Sequence, residues 1–344
     1  MLPIVFHPGH KRHDPQLYFK AGTFHTHPEM PSRADSIVAE LTAQGGLISR
    51  PDDFGPAPRA DIHTAEYLDF LSAVHRRWKA SGEAGDEVVP NIHPGRHMTG
   101  RPENLVGQVG FHTADLSSPI GAQTWEAACD SANTALHATQ LVLDGASAAY
   151  ALCRPPGHHA YADMAGGFCF LNNIAIAAQY AVRHGKRPAI LDVDVHAGNG
   201  TQGIFYRRAD VLTVSLHCDP VDFYPFFAGH AHERGDGEGT GSHLNVPLAR
   251  NTGDNAYLSA LDTALNRISA FGPDILFIAL GVDGYEKDPL QGISLTTPGF
   301  NRIARAIGEL KLPTVLVQEG GYNVPDLGKN VFSFLEGFET AHGF

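Results

Sequence analysis

The tract Leu191-Asp192-Val193-Asp194-Val195-His196-Ala197-Gly198-Asn199-Gly200 constrains this chain more than any other stretch. It continues an apolar run, Pro188-Ala189-Ile190-Leu191, of the kind that forms a buried strand. In an extended strand alternate side chains share one face. Asp192, Asp194 and His196 are therefore expected to point together out of the strand's end. Three polar groups buried on one face are costly unless they bind something. A divalent metal suits them, because it neutralises carboxylates and fixes an imidazole.

A fold that carries such a strand to a polar rim is legible around it. Strands are expected at 4–6, 148–152, 188–193, 211–216, 275–281 and 313–318. Helical spacing marks 34–44, 65–80, 122–144, 170–184, 255–270, 298–310 and 328–340. Strands alternating with helices imply parallel βαβ units. The unbroken apolar runs Ile275–Leu280 and Thr314–Val317 fit strands buried on both faces. There is no internal repeat and no Ser/Gly linker, so one domain over residues 1–344 is expected. Two long irregular segments, 7–33 and 82–110, are rich in Pro and Gly; they either line a mouth or a subunit contact or are plain surface loops.

Ligands of parallel sheets sit beyond the carboxyl ends of the strands. Five strand ends here offer polar groups: Arg154-Pro155-Pro156-Gly157-His158-His159, then Asp192 to His196, then His217-Cys218-Asp219, Asp283, and Glu319-Gly320-Gly321-Tyr322. Each has a plain reading when taken alone. Asp283 caps a turn, the His pair is a surface turn, and Tyr322 packs behind a tight glycine turn. Their common rim favours chemistry instead. Asp194, His196 and Asp283 are the expected metal ligands, leaving a position for water or substrate. Asp192 then supports rather than ligates.

The formal charge of −12, with no Lys/Arg block, argues against nucleic acid and anionic membrane as partners. No apolar stretch approaches membrane-spanning length, and Met1–His7 lacks the features of a signal peptide. A cytoplasmic location is expected. Cys129, Cys153, Cys169 and Cys218 show no CxxC pairing and read as reduced thiols.

Several tracts together carry a family likeness. Arg154-Pro155-Pro156-Gly157-His158-His159, Gly166-Gly167-Phe168-Cys169, Asp192-Val193-Asp194-Val195-His196, Gly198-Asn199-Gly200, Ser215-Leu216-His217, Gly281-Val282-Asp283 and Glu319-Gly320-Gly321-Tyr322 resemble the zinc-dependent histone deacetylase superfamily in order and spacing. Within it the chain looks most like the bacterial acetylpolyamine amidohydrolase branch. The resemblance implies an α/β arginase–deacetylase fold with a mostly parallel central sheet flanked by helices. It implies zinc at Asp194, His196 and Asp283, with Fe2+ or Co2+ as tolerable alternatives. It implies His159 as general base beside the neutral Asn199, and His158 kept charged by Asp192. Tyr322 becomes the oxyanion donor, Gly167 the acceptor for the substrate amide, and Phe168 and Tyr224 the tunnel walls. A structural K+ at Asp192, Asp194, His196, Ser215 and Leu216 is implied as well, as is a homodimer through 82–110.

The likeness implies removal of acetyl groups from small N-acetylated amines. A protein acetyl-lysine side chain, or another amide, is the alternative on the same machinery. Where the branch carries acids for distal ammonium groups, this chain has Gln16, Val106 and Ser117; Glu103 and Asp115 lie nearby but out of register. A dinuclear manganese ureohydrolase needs further bridging carboxylates that Val195-His196-Ala197-Gly198 and Asp283-Gly284-Tyr285 lack. A metal-free acetyl-ligand sensor would not need His158, His159 and Tyr322.

Overall fold

Every residue from Ile275 to Leu280 is buried, because helices cover both faces of this strand. It belongs to an eight-stranded sheet in the computed structural model, which describes residues 1–82 and 85–343. In chain order the strands are β1 (Ile4–Val5), the hairpin β2 (Leu17–Lys20) and β3 (Thr23–Thr26), β4 (Ile48–Ser49), β5 (Ala148–Ala151), β6 (Pro188–Asp192), β7 (Leu212–Cys218), β8 (His243–Leu248), β9 (Ile275–Leu280) and β10 (Thr314–Gln318). The sheet order is β4-β1-β5-β10-β9-β6-β7-β8, and every pairing in it is parallel.

The helices are α1 (Ser32–Ala43), α2 (Ala57–Ala60), α3 (Ala65–Ala80), α4 (Leu105–Phe111), α5 (Thr124–Leu143), α6 (Asn173–Arg183), α7 (Asn199–Phe205), α8 (Asp254–Phe271), α9 (Thr297–Gly308) and α10 (Val324–His342). Alternate residues of β9 serve two cores. Leu276, Ile278 and Leu280 pack with Tyr257, Leu261, Ala264 and Ile268 of α8 and with Phe334 and Phe338 of α10. Ile275, Phe277 and Ala279 pack with Tyr67 and Val74 of α3, Leu136 of α5 and Ile174 of α6. The α8 contacts recur at helical spacing, which is what turns one stripe of that helix to the sheet.

Local signals set the helix ends. Thr64, Asn172 and Thr296 accept backbone N–H groups of Tyr67, Ala175 and Gly299 at the starts of α3, α6 and α9. Gly272, at φ +64°, ends α8 in the left-handed region. The Asn172 cap explains why the helix expected from 170 begins at Asn173.

The strand expected over 188–193 stops at Asp192, so Asp194 and His196 stand in the turn beyond it rather than on the strand. That turn is built from its own side chains: Asp194 N–H donates to Asp192 Oδ1 (3.1 Å) and His196 N–H to Asp194 Oδ1 (2.9 Å). The expected convergence survives by a different route from strand alternation. Segment 7–33 is less irregular than expected, for it contains the β2–β3 hairpin and a short 3-10 turn over Pro8–Arg12. Residues 83 and 84 of the second long segment lie outside the described residues. Cys129, Cys153, Cys169 and Cys218 are all free. No helix among the described residues is long and apolar enough to cross a membrane.

Candidate active site

The strands β5, β10, β9, β6 and β7 are consecutive neighbours in the sheet. They are the strands whose ends carry the polar tracts, so the rim expected from the sequence is a continuous one. Asp194, His196 and Asp283 meet on it, with donor atoms all within 4.8 Å of one another. His196 Nδ1 lies 3.1 Å from both Asp194 Oδ1 and Asp283 Oδ2. Backbone groups hold the carboxylates in place: Gly320 N–H donates to Asp194 Oδ2 (2.9 Å) and Val195 N–H to Asp283 Oδ1 (3.0 Å).

This donor set fits a divalent metal. Both carboxylates are fully buried, and burial together with the Asp194 charge pushes the Asp283 carboxyl up. A divalent cation removes that cost, and two carboxylates with one imidazole leave room for further ligands. Glycines crowd against the same oxygens. A Cβ on Gly320 would stand 2.2 Å from Asp283 Oδ2, and one on Gly281 would stand 2.1 Å from Asp194 Oδ2.

His158 and His159 stand beside the triad with ring centres 4.0 Å apart. Their partners differ. His158 Nδ1 faces Asp192 Oδ2 at 2.9 Å, and His159 Nδ1 faces Asn199 Oδ1 at 2.6 Å. Burial disfavours the charged form of both rings. At His158 the Asp192 and Asp194 carboxylates outweigh burial and hold the imidazole well above its ordinary value. At His159 burial prevails, reinforced by the neighbouring imidazoles, and the ring is held well below it. An amide oxygen only accepts, so His159 carries its proton on Nδ1 and turns a free Nε2 lone pair away from Asn199.

Tyr322 closes the other side. Burial keeps its phenol well above the ordinary value, so it stays protonated. Its backbone N–H donates to Asp288 Oδ2 (2.7 Å), and the Arg33 guanidinium sits 4.6 Å from its ring centre. Gly321, at φ +130°, makes the turn that brings it there. Arg33 also donates to the carbonyls of Gly321 (2.5 Å) and Glu319 (2.7 Å). Glu29, fully buried, pairs with Arg33 at 2.7 Å and Arg154 at 2.8 Å. On the β10 side, Glu319 Oε2 accepts N–H groups of Gly157 (2.7 Å) and His158 (3.1 Å).

A cavity of about 510 Å³ opens over these groups, bordered by His159, Gly167, Phe168, His196, Tyr224 and Tyr322. Phe168 is held at φ +71°, edge-on to Tyr322 with centroids 5.6 Å apart. Tyr224 lies edge-on to His159 at 5.1 Å, and its hydroxyl donates to Asp115 Oδ2 (2.6 Å). Ser215 is the register partner of Asp192, with the fully buried Leu216 beside it. Of the three positions where acids were expected, Ser117 borders the cavity and Gln16 and Val106 do not.

Glu29, Arg33 and Asp288 escape sequence reasoning. Glu29 and Arg33 pair four residues apart, but what ties them to the site, Gly321 and Arg154, lies far along the chain, as Tyr322 does from Asp288. Asp115 stands out in the sequence only as an acid out of register, yet it borders the cavity.

A parallel sheet that raises two carboxylates and an imidazole beside a second, neutral imidazole is the arrangement of an α/β metalloenzyme. Residues 27–338 match the histone deacetylase domain, and this chain belongs to that family. It is 48% identical to the acetylpolyamine amidohydrolase of Burkholderia pseudomallei over 98% of this chain and 99% of that one. It is 46% identical to acetylpolyamine amidohydrolase 1 of Pseudomonas aeruginosa, again over 98% and 99%. The crystal structure of the acetylpolyamine aminohydrolase from Burkholderia pseudomallei superposes with a TM-score of 0.96 at 47% identity, covering 99% of both chains.

Proposed function

We propose that this chain is a metal-dependent deacetylase that hydrolyses the acetyl amide of small N-acetylated amines, acetylpolyamines among them. One observation carries the reading: the Asp194–His196–Asp283 triad lies next to an imidazole, His159, whose Nε2 lone pair is free. The names of the relatives at 40–48% identity support the substrate class.

Asp194, His196 and Asp283 would hold the metal, zinc first and Fe2+ or Co2+ as alternatives, and Asp192, Asp194, His196, Ser215 and Leu216 would hold a K+, partly through backbone oxygens. When bound, the metal polarises the acyl oxygen and acidifies water. His159 takes the proton of the attacking water on Nε2 and later returns it to the leaving amine. His158 keeps its positive charge beside the developing anion through Asp192. The Tyr322 hydroxyl donates to the acyl oxygen as it gains charge. The Gly167 carbonyl accepts the substrate N–H, and Phe168 and Tyr224 flank the aliphatic chain. One domain spanning the chain is our reading of the fold. A homodimer through the 82–110 segment belongs to the same reading; Ile92 and Met98 are exposed in it.

The test is acetate release by zinc-loaded protein from N-acetylputrescine, N-acetylcadaverine, N-acetylspermidine and an acetyl-lysine peptide, with Tyr322→Phe as control. Turnover of the small amines, reduced about 10²-fold or more in the variant, is expected. Turnover of the peptide alone moves the activity to protein deacetylation. Inertness toward all of them sinks the reading.

A further inference from the structure

Asp288 is 2% exposed and has no ion-pair partner among the described residues. Its carboxylate instead accepts three backbone N–H groups: Leu290 on Oδ1 (3.0 Å), and Tyr322 (2.7 Å) and Asn323 (3.2 Å) on Oδ2. Burial, with the Asp283 charge added, pushes its carboxyl up to about 7, against the pull of those three donors. The fold thus keeps an acid where no cation offsets its charge. Perturbed acids of this kind concentrate at working sites.

The bond to Leu290 is the local turn that an aspartate side chain makes with the backbone two residues on. An asparagine would make the same turn without the charge. The Oδ2 contacts reach 34 and 35 positions along the chain, and they require a second acceptor oxygen, because an amide offers only one. The N–H of Tyr322 itself goes to Asp288, whereas Arg33 and the Gln318 amide hold the carbonyls of Glu319, Gly320 and Gly321 before it. Asn323 Nδ2 donates to the Lys287 carbonyl (2.7 Å) and ties the same two segments. Leu290 and Tyr322 both border the cavity, so one carboxylate sets the spacing between two of its walls.

We propose, resting on the deacetylase reading above, that Asp288 is a positioning residue for the oxyanion donor. By clamping the Tyr322 backbone to the 285–291 loop it holds the phenol hydroxyl at one place on the cavity wall, where the acyl oxygen gains charge. Asp288 itself borders neither the cavity nor the metal triad, so it acts through Tyr322. Its loss should lower kcat and leave KM almost unchanged, because the hydroxyl is needed in the transition state more than in the bound state.

The test compares zinc-loaded wild type, Asp288→Asn, Tyr322→Phe and the double variant on N-acetylputrescine. Asparagine keeps the turn to Leu290 but presents its NH2 to the Tyr322 and Asn323 N–H groups, so it breaks the long-range clamp alone. Asp288→Asn should lower kcat about tenfold to a hundredfold, the loss that a small misplacement brings. In the Tyr322→Phe background the same change should lower it less than about twofold, because the two residues act as one unit. Asp288→Ser, which keeps only a local turn, should behave alike and serves if the Asn variant folds poorly. A second readout needs no turnover. The protein is labelled with 3-fluorotyrosine, and the Tyr322 fluorine resonance is identified by its absence from Tyr322→Phe. Asp288→Asn should shift or broaden that resonance while zinc content stays unchanged. An equal kcat loss in both backgrounds, or a Tyr322 resonance that Asp288→Asn leaves in place, overturns the proposal. If wild type cleaves no acetylated amine the deacetylase reading falls, and the fluorine resonance still decides the role of Asp288.

Discussion

The guanidinium of Arg33 lies 4.6 Å from the centre of the Tyr322 ring while its Nε and Nη2 hold the carbonyls of Gly321 and Glu319. One side chain from α1 therefore fixes the turn that presents the tyrosine. Its charge is answered by Glu29, which also faces Arg154. Arg33→Ala leaves Glu29 short of a partner in a dry interior. A loss of about 3–5 kcal/mol is expected, measured as a lower urea midpoint. Activity should fall further than Tm alone explains, because the Tyr322 turn loses its anchors. Arg33→Lys restores charge without the planar fork and should recover stability better than rate.

Acid should expose the same cluster. Burial works against ionised Glu29, but Arg154 and Arg33 prevail and hold its carboxyl down at about 2, from an ordinary 4.5. A depressed carboxyl stabilises fully above its unfolded value and loses that contribution as pH falls from about 4.5 toward 2. The amount is on the order of 3 kcal/mol. Urea midpoints measured from neutral pH down to 3 should fall through this window in wild type. They should fall less steeply in Glu29→Gln, which starts lower.

His159 works as a base only while neutral. Its partner Asn199 is uncharged and 2.6 Å away. Asn199→Asp places an anion there, which favours the imidazolium. The proton then stays on to higher pH, so the acidic limb of the kcat/KM profile should move up. A limb that stays in place would show that another group limits the rate in acid.

Gly320 is held against two metal-facing carboxylates; a methyl group at this position would stand 2.2 Å from Asp283 Oδ2 and 2.5 Å from Asp194 Oδ2. Gly320→Ala must push one of them away. Loss of stoichiometric zinc binding is expected, measured by elemental analysis after gel filtration. In wild type, excess zinc should raise Tm, because it binds the folded chain and relieves the buried carboxylates. Asp283→Ala and Gly320→Ala should flatten that response.

Much of this site is legible in sequence because its main tracts are local. Asp192, Asp194 and His196 follow a visible strand, and His158-His159 follow another. What stayed hidden depends on distance. Arg33 meets Gly321 across 288 positions, and Asp288 meets Tyr322 across 34. Nothing near either residue signals the partner. The β8 strand was missed for a different reason. It is an edge strand carrying Pro247, and its burial alternates unevenly, so it lacks the apolar run that marks β9. The β2–β3 hairpin is mostly exposed and has no apolar face to read.

The order of the strands has a consequence for how the protein comes to be. The triad and Tyr322 hang from β6, β9 and β10, and β10 is the last strand made. It enters the middle of the sheet, between β5 and β9. Until it does, Asp194 lacks the Gly320 N–H that steadies it and the tyrosine has no turn to stand on. A chain emerging from the ribosome thus has no finished cradle for a metal until β10 has been made. Metal acquisition waits for β10 to enter the sheet, and a product truncated before it should hold no divalent metal at the triad.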